Sequence, residues 1–224
     1  MFGQRDMRFS DRRHAGQVLA RTLEHYAGRD DVIVLALPRG GVPVGFEVAQ
    51  ALRAPLDVFV VRKLGFPGHE EFAMGAIASG GVRVMNPEAQ RFGVPEAMIE
   101  ATAAREAQEL ARREQLYRGD RPPLSIEGRI VILVDDGLAT GSTMRAAAAA
   151  VRQRKPQRIV VAVPVAARDT CEDFRAEVDE VICAATPEPF RAVGVWYDSF
   201  DQTSDAEVHR LLEASRRAET ERAP

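Results

Sequence analysis

The stretch that decides the fold is Ile130-Val131-Ile132-Leu133-Val134-Asp135-Asp136-Gly137-Leu138-Ala139-Thr140-Gly141-Ser142-Thr143. Five consecutive apolar, mostly β-branched residues read as a strand buried on both faces, the pattern of a parallel sheet. The strand ends in two adjacent carboxylates. A turn of small and hydroxyl-bearing residues follows, and then an apolar stripe at helical spacing, Met144, Ala147, Ala148 and Val151. A helix start offers unpaired N–H groups and partial positive charge, so this turn suits one phosphate. Gly137 and Gly141 let the backbone come close, and Thr140, Ser142 and Thr143 add hydroxyl donors. Asp135 and Asp136 cannot hold that phosphate, since like charges repel, but they can accept hydrogen bonds from vicinal sugar hydroxyls. A ribose 5-phosphate satisfies both halves.

Outward from this loop, strand and helix patterns alternate. A helix is predicted over residues 12–27, with Asp11 as its N-cap and Ala15, Val18, Leu19, Thr22, Leu23 and Tyr26 on one face. Buried strands are predicted at 32–37, 56–61, 129–134, 158–163 and 179–183. Residues 72–85 read as a hairpin turning at Gly80-Gly81, and 95–117 as a long helix whose Glu and Arg residues form a solvated face. Ser204-Asp205-Ala206-Glu207 is a capping box opening a last helix. The expected fold class is therefore α/β, a mostly parallel central sheet flanked by helices. No internal repeat or domain-sized linker interrupts it. In such sheets ligands collect at the carboxyl edge of the strands, where the unusual loops lie.

Composition narrows the function. With 46% hydrophobic and 28% charged residues in a chain of 224, one filled α/β domain is expected. A net charge of −3 gives no electrostatic basis for nucleic-acid binding. The longest apolar run, residues 159–167, is too short for a membrane span, and the first residues lack a signal-peptide pattern. Cys171 and Cys183 could pair, but buried thiols in a cytoplasmic protein are the expectation. Only two of the 30 cations are lysines, Lys63 and Lys155, and Lys63 stands beside Arg62. His69-Glu70-Glu71 is not a zinc motif, and no G-x-G-x-x-G follows the first strand.

The segment Val134 to Thr143 resembles the phosphoribosylpyrophosphate-binding motif of the type I phosphoribosyltransferases: apolar residues, two acids, then a turn ending Thr-Gly-x-Thr. Leu37-Pro38-Arg39-Gly40-Gly41 is similar to that family's pyrophosphate loop. Val61-Arg62-Lys63-Leu64-Gly65-Phe66-Pro67-Gly68 resembles the Arg-Lys start of its mobile catalytic loop. The three segments span about residues 32 to 154. The resemblance implies the type I fold with a small hood. Residues 1–224 would form one domain: a core of about 30–185, with hood and C-terminal elements at 186–224 and the N-terminal helix at 11–28.

It also implies the roles. The 5-phosphoribosyl group of phosphoribosylpyrophosphate would be transferred to a nitrogen nucleophile, a nucleobase-like acceptor, with release of pyrophosphate. Asp135, Asp136, Arg62 and Lys63 would be catalytic. Gly137, Leu138, Ala139, Thr140, Gly141, Ser142 and Thr143 would bind the 5-phosphate, and Arg39, Gly40 and Gly41 the pyrophosphate. Mg²⁺ would be held by ligand oxygens and water, without a direct protein ligand. Residues 65–72 would close over the site. Trp196 and Tyr197 are candidates to stack on a base, and a homodimer is possible on this reading. Ala139 stands where hypoxanthine–guanine enzymes carry an Asp, and Ala73 and Met74 stand where adenine enzymes place a Glu, so neither purine group is the expected acceptor. The alternative is a regulatory module on the same fold that senses phosphoribosylpyrophosphate or a nucleotide and transfers little or nothing.

Overall fold

The computed structural model describes residues 8–66, 69–86 and 94–222. Five parallel strands form the main sheet: β1 (Val32–Ala36), β2 (Leu56–Val58), β6 (Ile130–Val134), β7 (Arg158–Val165) and β8 (Glu180–Ala185), in the order β2-β1-β6-β7-β8. The unbroken apolar runs of β1 and β6 have a direct cause. In β1, Val32, Val34 and Ala36 face one core, and Ile33 and Leu35 face the other. In β6, Ile130, Ile132 and Val134 face the first core, while Val131 and Leu133 face the second. Both faces are dry, so no polar alternation is tolerated.

The helices α1 (Arg12–Thr22) and α2 (Gly41–Leu52) pack on the first face. The long α3 (Glu96–Arg118) and the last helix, α6 (Asp205–Arg222), contribute to the same core. On the second face lie α4 (Ser142–Gln153) and a short α5 (Arg168–Asp173) continued by a 3-10 turn at Phe174–Ala176. Asp11 caps α1 as expected, accepting from the His14 N–H at 2.7 Å. Ser204 Oγ accepts from the Glu207 N–H at 3.1 Å at the start of α6. Glu109 pairs with Arg113 on the outer side of α3 as expected, but the face is not solvated throughout: Glu106 and Arg118 are buried, paired with Arg62 and Asp57.

Several expectations are corrected. The strand expected at 56–61 is two strands. β2 stops at Val58, and β3 (Val61–Phe66) leaves the main sheet to pair antiparallel with β4 (His69–Ala78), which pairs with β5 (Val82–Met85). Phe59 and Val60 are buried at the crossing, so the apolar run continues through the bend. The helix expected to reach residue 27 ends as α at Thr22 and finishes in a 3-10 turn at Glu24–Tyr26. α5 has no counterpart in the sequence reading. Nor are Cys171 and Cys183 thiols. They form a disulfide between α5 and β8, whose packing brings the two Cα atoms to 6.6 Å. Of the expected closing segment 65–72, residues 67–68 and the side chains of residues 69–72 lie outside the described set. No helix among the described residues is long and apolar enough to cross a membrane.

Candidate functional site

Strand order places the site. From β1 the chain turns one way to β2, and from β6 it turns the other way to β7. The β1/β6 boundary is therefore the switch point of the sheet, and its carboxyl edge opens as a crevice. The register Ala36↔Val134 ends both strands level. The two following loops are stitched together by the Leu37 N–H, which donates to Val134 O at 2.8 Å. They touch so closely that side chains are excluded. A Cβ on Gly40 would lie 2.0 Å from Asp136 Oδ2, and one on Gly41 would lie 2.7 Å from Val134 O. The predicted pyrophosphate loop and the predicted acidic pair are thus one surface.

Beyond Asp136 the chain turns across the sheet edge. Leu138 pairs with Ala166, through its N–H to Val165 O at 2.9 Å. Gly141 takes a φ of +72° as the residue before α4 and carries no side chain to cap it. A Cβ there would also meet Phe174 at 2.5 Å. Thr170 Oγ1 donates to Ala139 O and Arg145 Nη1 donates to Thr140 O, both at 2.7 Å, so the loop's carbonyls are tied back. The N–H groups of Ala139, Thr140, Gly141, Ser142 and Thr143 have no protein acceptor among the described residues. They surround a cavity of about 170 Å³ lined by Asp135, residues 137–144 and Val193. Carbonyls turned away and N–H groups left open make an anion cradle. A larger hollow of about 560 Å³ between α1 and α2 is lined by residues such as Gln17, Glu24 and Glu47 and holds none of the candidate residues.

The acidic pair is half-buried. Asp135 Oδ1 accepts from the Asp136 N–H at 2.8 Å. Asp136 Oδ2 accepts from Arg12 Nε at 2.8 Å, a contact 124 residues apart in sequence. Burial pushes the Asp135 carboxyl well above the usual carboxylate range, and the neighbouring Asp136 charge pushes it further. Burial also raises Asp136, partly offset by Arg12. Among the described residues no cluster of three or more His, Cys, Asp or Glu is placed to hold a metal.

The other candidates divide. Arg39 sits in the first loop, 3.8 Å from Asp205 at the start of α6. Arg62 and Lys63 lie on β3, in the small sheet. Arg62 is engaged by Glu106 of α3, with Nε and Nη2 at 2.9 and 2.7 Å, and Lys63 is exposed. Neither makes a hydrogen bond or ion pair to Asp135 or Asp136. Tyr197 does not present its ring for stacking. The ring is 5% exposed and packs with Phe9 and Val165, while its hydroxyl donates to Asp136 O at 2.5 Å. Burial and the charge of Asp136 push that phenol up. Trp196 is half-buried in the same cluster, its indole N–H without a partner among the described residues. The sequence reading missed Arg12, Val193, Thr170 of α5 and Phe174 of the 3-10 turn after it. Only Arg12 had a nearby signal, the Asp11 cap, and that fixes a helix start and not a partner.

Residues 68–199 match the family model described as "Phosphoribosyl transferase domain". Two curated Mycobacterium tuberculosis proteins, from strains CDC 1551 and H37Rv, are 46% identical to the chain over 210 residues, 93% of it. Each carries the name "Putative phosphoribosyl transferase". That alignment covers 47% of each relative, so the chain spans about half the length of the curated relatives it matches. A crystal structure of the Thermus thermophilus protein TT1426 is 46% identical. The match covers 92% of this chain and 98% of that one, with a TM-score of 0.82.

Proposed function

Since the chain belongs to the phosphoribosyl transferase domain family, we propose that it binds 5-phosphoribosyl-1-pyrophosphate across the β1/β6 crevice and transfers the phosphoribosyl group to a nitrogen nucleophile, releasing pyrophosphate. The observation that carries this reading is the junction of the two loops. A cradle of open N–H groups at residues 139–143 lies on one side of the acidic pair, and the Arg39-Gly40-Gly41 loop abuts the other.

In this reading the 5-phosphate takes the N–H groups and the hydroxyls of Thr140, Ser142 and Thr143. Asp135 and Asp136 accept hydrogen bonds from the ribose hydroxyls, and their charge favours an electron-poor sugar ring as the C1–O bond breaks. The Gly40 and Gly41 backbone and the Arg39 guanidinium receive the departing pyrophosphate. The pair formed by Asp135 and Asp136 falls short of a cation cage, so Mg²⁺ is proposed to enter on the ligand's own oxygens with water, as that ion commonly does beside phosphates. It would supply charge neutralisation for the leaving group. Arg62 and Lys63 are proposed to reach the leaving group when residues 65–72 close over it and exclude water. The acceptor is proposed to be a nucleobase-like nitrogen compound other than hypoxanthine, guanine or adenine, and the protein is proposed to work in the cytoplasm.

A second reading rests on the Arg62–Glu106 pair. With Arg62 held there, the site would bind phosphoribosylpyrophosphate without transferring it, and the protein would be a sensor. A pyrophosphate-release assay with phosphoribosylpyrophosphate, Mg²⁺ and hypoxanthine, guanine, adenine, uracil, xanthine and orotate separates the two. Release with one of the last three supports the transferase. Binding without release for any acceptor supports the sensor. Efficient use of hypoxanthine or guanine, with kcat/KM of about 10⁴ M⁻¹s⁻¹ or above, would overturn the acceptor assignment.

A further inference from the structure

We propose that Arg12 is a positioning residue of the phosphoribose site, holding the Asp136 carboxylate from the first turn of α1 so that its free oxygen meets the ribose hydroxyls. This rests on the phosphoribosyl reading of the loop. Three contacts fix the guanidinium. Nε donates to Asp136 Oδ2 at 2.8 Å, Nη1 donates to Asp201 O at 2.6 Å, and the carbon of the fork lies 3.9 Å over the Phe200 ring. The two charged side chains are 12% and 16% exposed, so the pair is screened little by water. Asp136 Oδ1 accepts no hydrogen bond among the described residues, which leaves one oxygen held and one available to a ligand.

The rest of the local structure converges on the same carboxylate. The Phe9 N–H donates to Trp196 O, and the Asp198 and Ser199 N–H groups donate to Phe9 O and Ser10 O, all within 2.8–2.9 Å. These bonds strap the segment before α1 to the segment carrying Phe200 and Asp201. Tyr197 donates to the Asp136 carbonyl. Gly40 has no Cβ where one would strike Oδ2 at 2.0 Å. Arg13, next along α1, cannot substitute, because its Nε is bound to Glu47 at 2.8 Å. Charge gives a second reason for the pairing. Two neighbouring carboxylates would repel a ligand bearing phosphate and pyrophosphate, and Arg12 cancels one of them at contact distance.

The test uses Arg12→Gln, Arg12→Lys, Asp136→Asn and the double variant Arg12→Gln/Asp136→Asn, each titrated with phosphoribosylpyrophosphate and Mg²⁺. Loss of a charge-assisted contact should make Arg12→Gln bind roughly tenfold more weakly or worse. Arg12→Lys should recover part of that loss, and Arg12→Gln should add less than about twofold on top of Asp136→Asn. Wild-type affinity in Arg12→Gln, or a full additive loss in the double variant, overturns the role. The same four proteins are melted without ligand. Arg12→Gln should lower the Tm by roughly 2–4 °C for each kcal/mol lost when Asp136 is intact and much less in the double variant. Equal losses in both backgrounds overturn the coupling whatever the ligand does. A wild-type protein that fails to bind phosphoribosylpyrophosphate overturns the phosphoribosyl reading and this role with it, whereas binding that ignores Arg12 overturns this role alone.

Discussion

Asp135 and Asp136 were legible because everything that marks them is contiguous: a buried strand before, a glycine-bounded turn behind, a helix after. What completes the site was not, because it arrives through distant contacts. Arg12 and Tyr197 reach Asp136 from 124 and 61 residues away, and no local pattern announces either. Cys171 and Cys183 illustrate the same limit, since a spacing of 12 residues fits two thiols or one bridge until the packing of α5 on β8 is known. The acidic pair makes two expectations. Asp135→Asn and Asp136→Asn should each weaken phosphoribosylpyrophosphate binding by about tenfold or more, the worth of a charge-assisted hydrogen bond of roughly 1.5–3 kcal/mol, as read by calorimetric titration. Asp135 also titrates abnormally. Its folded carboxyl is raised, so folding favours the protonated form, and the stability it contributes is present below the unfolded value of about 4 and lost as pH rises through the folded one. Asp135→Asn keeps the acceptor for the Asp136 N–H and removes the charge. Its Tm should therefore exceed that of the wild type at neutral pH and converge with it near pH 4, and a gap that widens on acidification would contradict the burial argument.

Elements show where pattern reading holds and where it stops. The five strands of the main sheet, the hairpin and the long α3 were readable in outline from apolar runs, Gly-Gly and helical spacing. The split of residues 56–66 between two sheets was not, since Phe59 and Val60 are as apolar as their neighbours. α5 was missed because six residues rich in acids show no apolar period, yet Thr170 on it and Phe174 in the turn after it hold the loop of residues 139–141. The two loops at the sheet edge depend on Gly40. Gly40→Ala places a methyl into Asp136 and should destabilise the protein by about 1–3 kcal/mol while also weakening ligand binding. A variant of wild-type stability and affinity would mean that the loops are not in contact. At the other end of the sheet, Arg118 of α3 holds Asp57 of β2 at 2.8 and 3.0 Å, both side chains 4% exposed. Arg118 also donates to Val58 O. Arg118→Ala leaves a buried carboxylate unpaired and should cost about 3–5 kcal/mol, measured by urea unfolding.

The whole molecule is a parallel sheet whose order, β2-β1-β6-β7-β8, puts the loops after β1 and β6 side by side at the switch point. The α/β class and the place of the loops followed from alternating patterns and the Asp-Asp turn. The strap between residues 9–12 and 196–201 did not, because it is made by backbone pairing between remote segments, which no local pattern encodes. It holds the Tyr197 ring against the core with its hydroxyl on the acidic loop. The central claim is that this crevice binds phosphoribosylpyrophosphate. The most direct measurement is calorimetric titration of the folded wild-type chain with phosphoribosylpyrophosphate and Mg²⁺, beside Asp135→Asn and Asp136→Asn. The account predicts saturable one-to-one binding by the wild type and roughly tenfold or greater weakening in each variant. No heat of binding from a folded wild-type protein, or equal affinity in all three proteins, would contradict it.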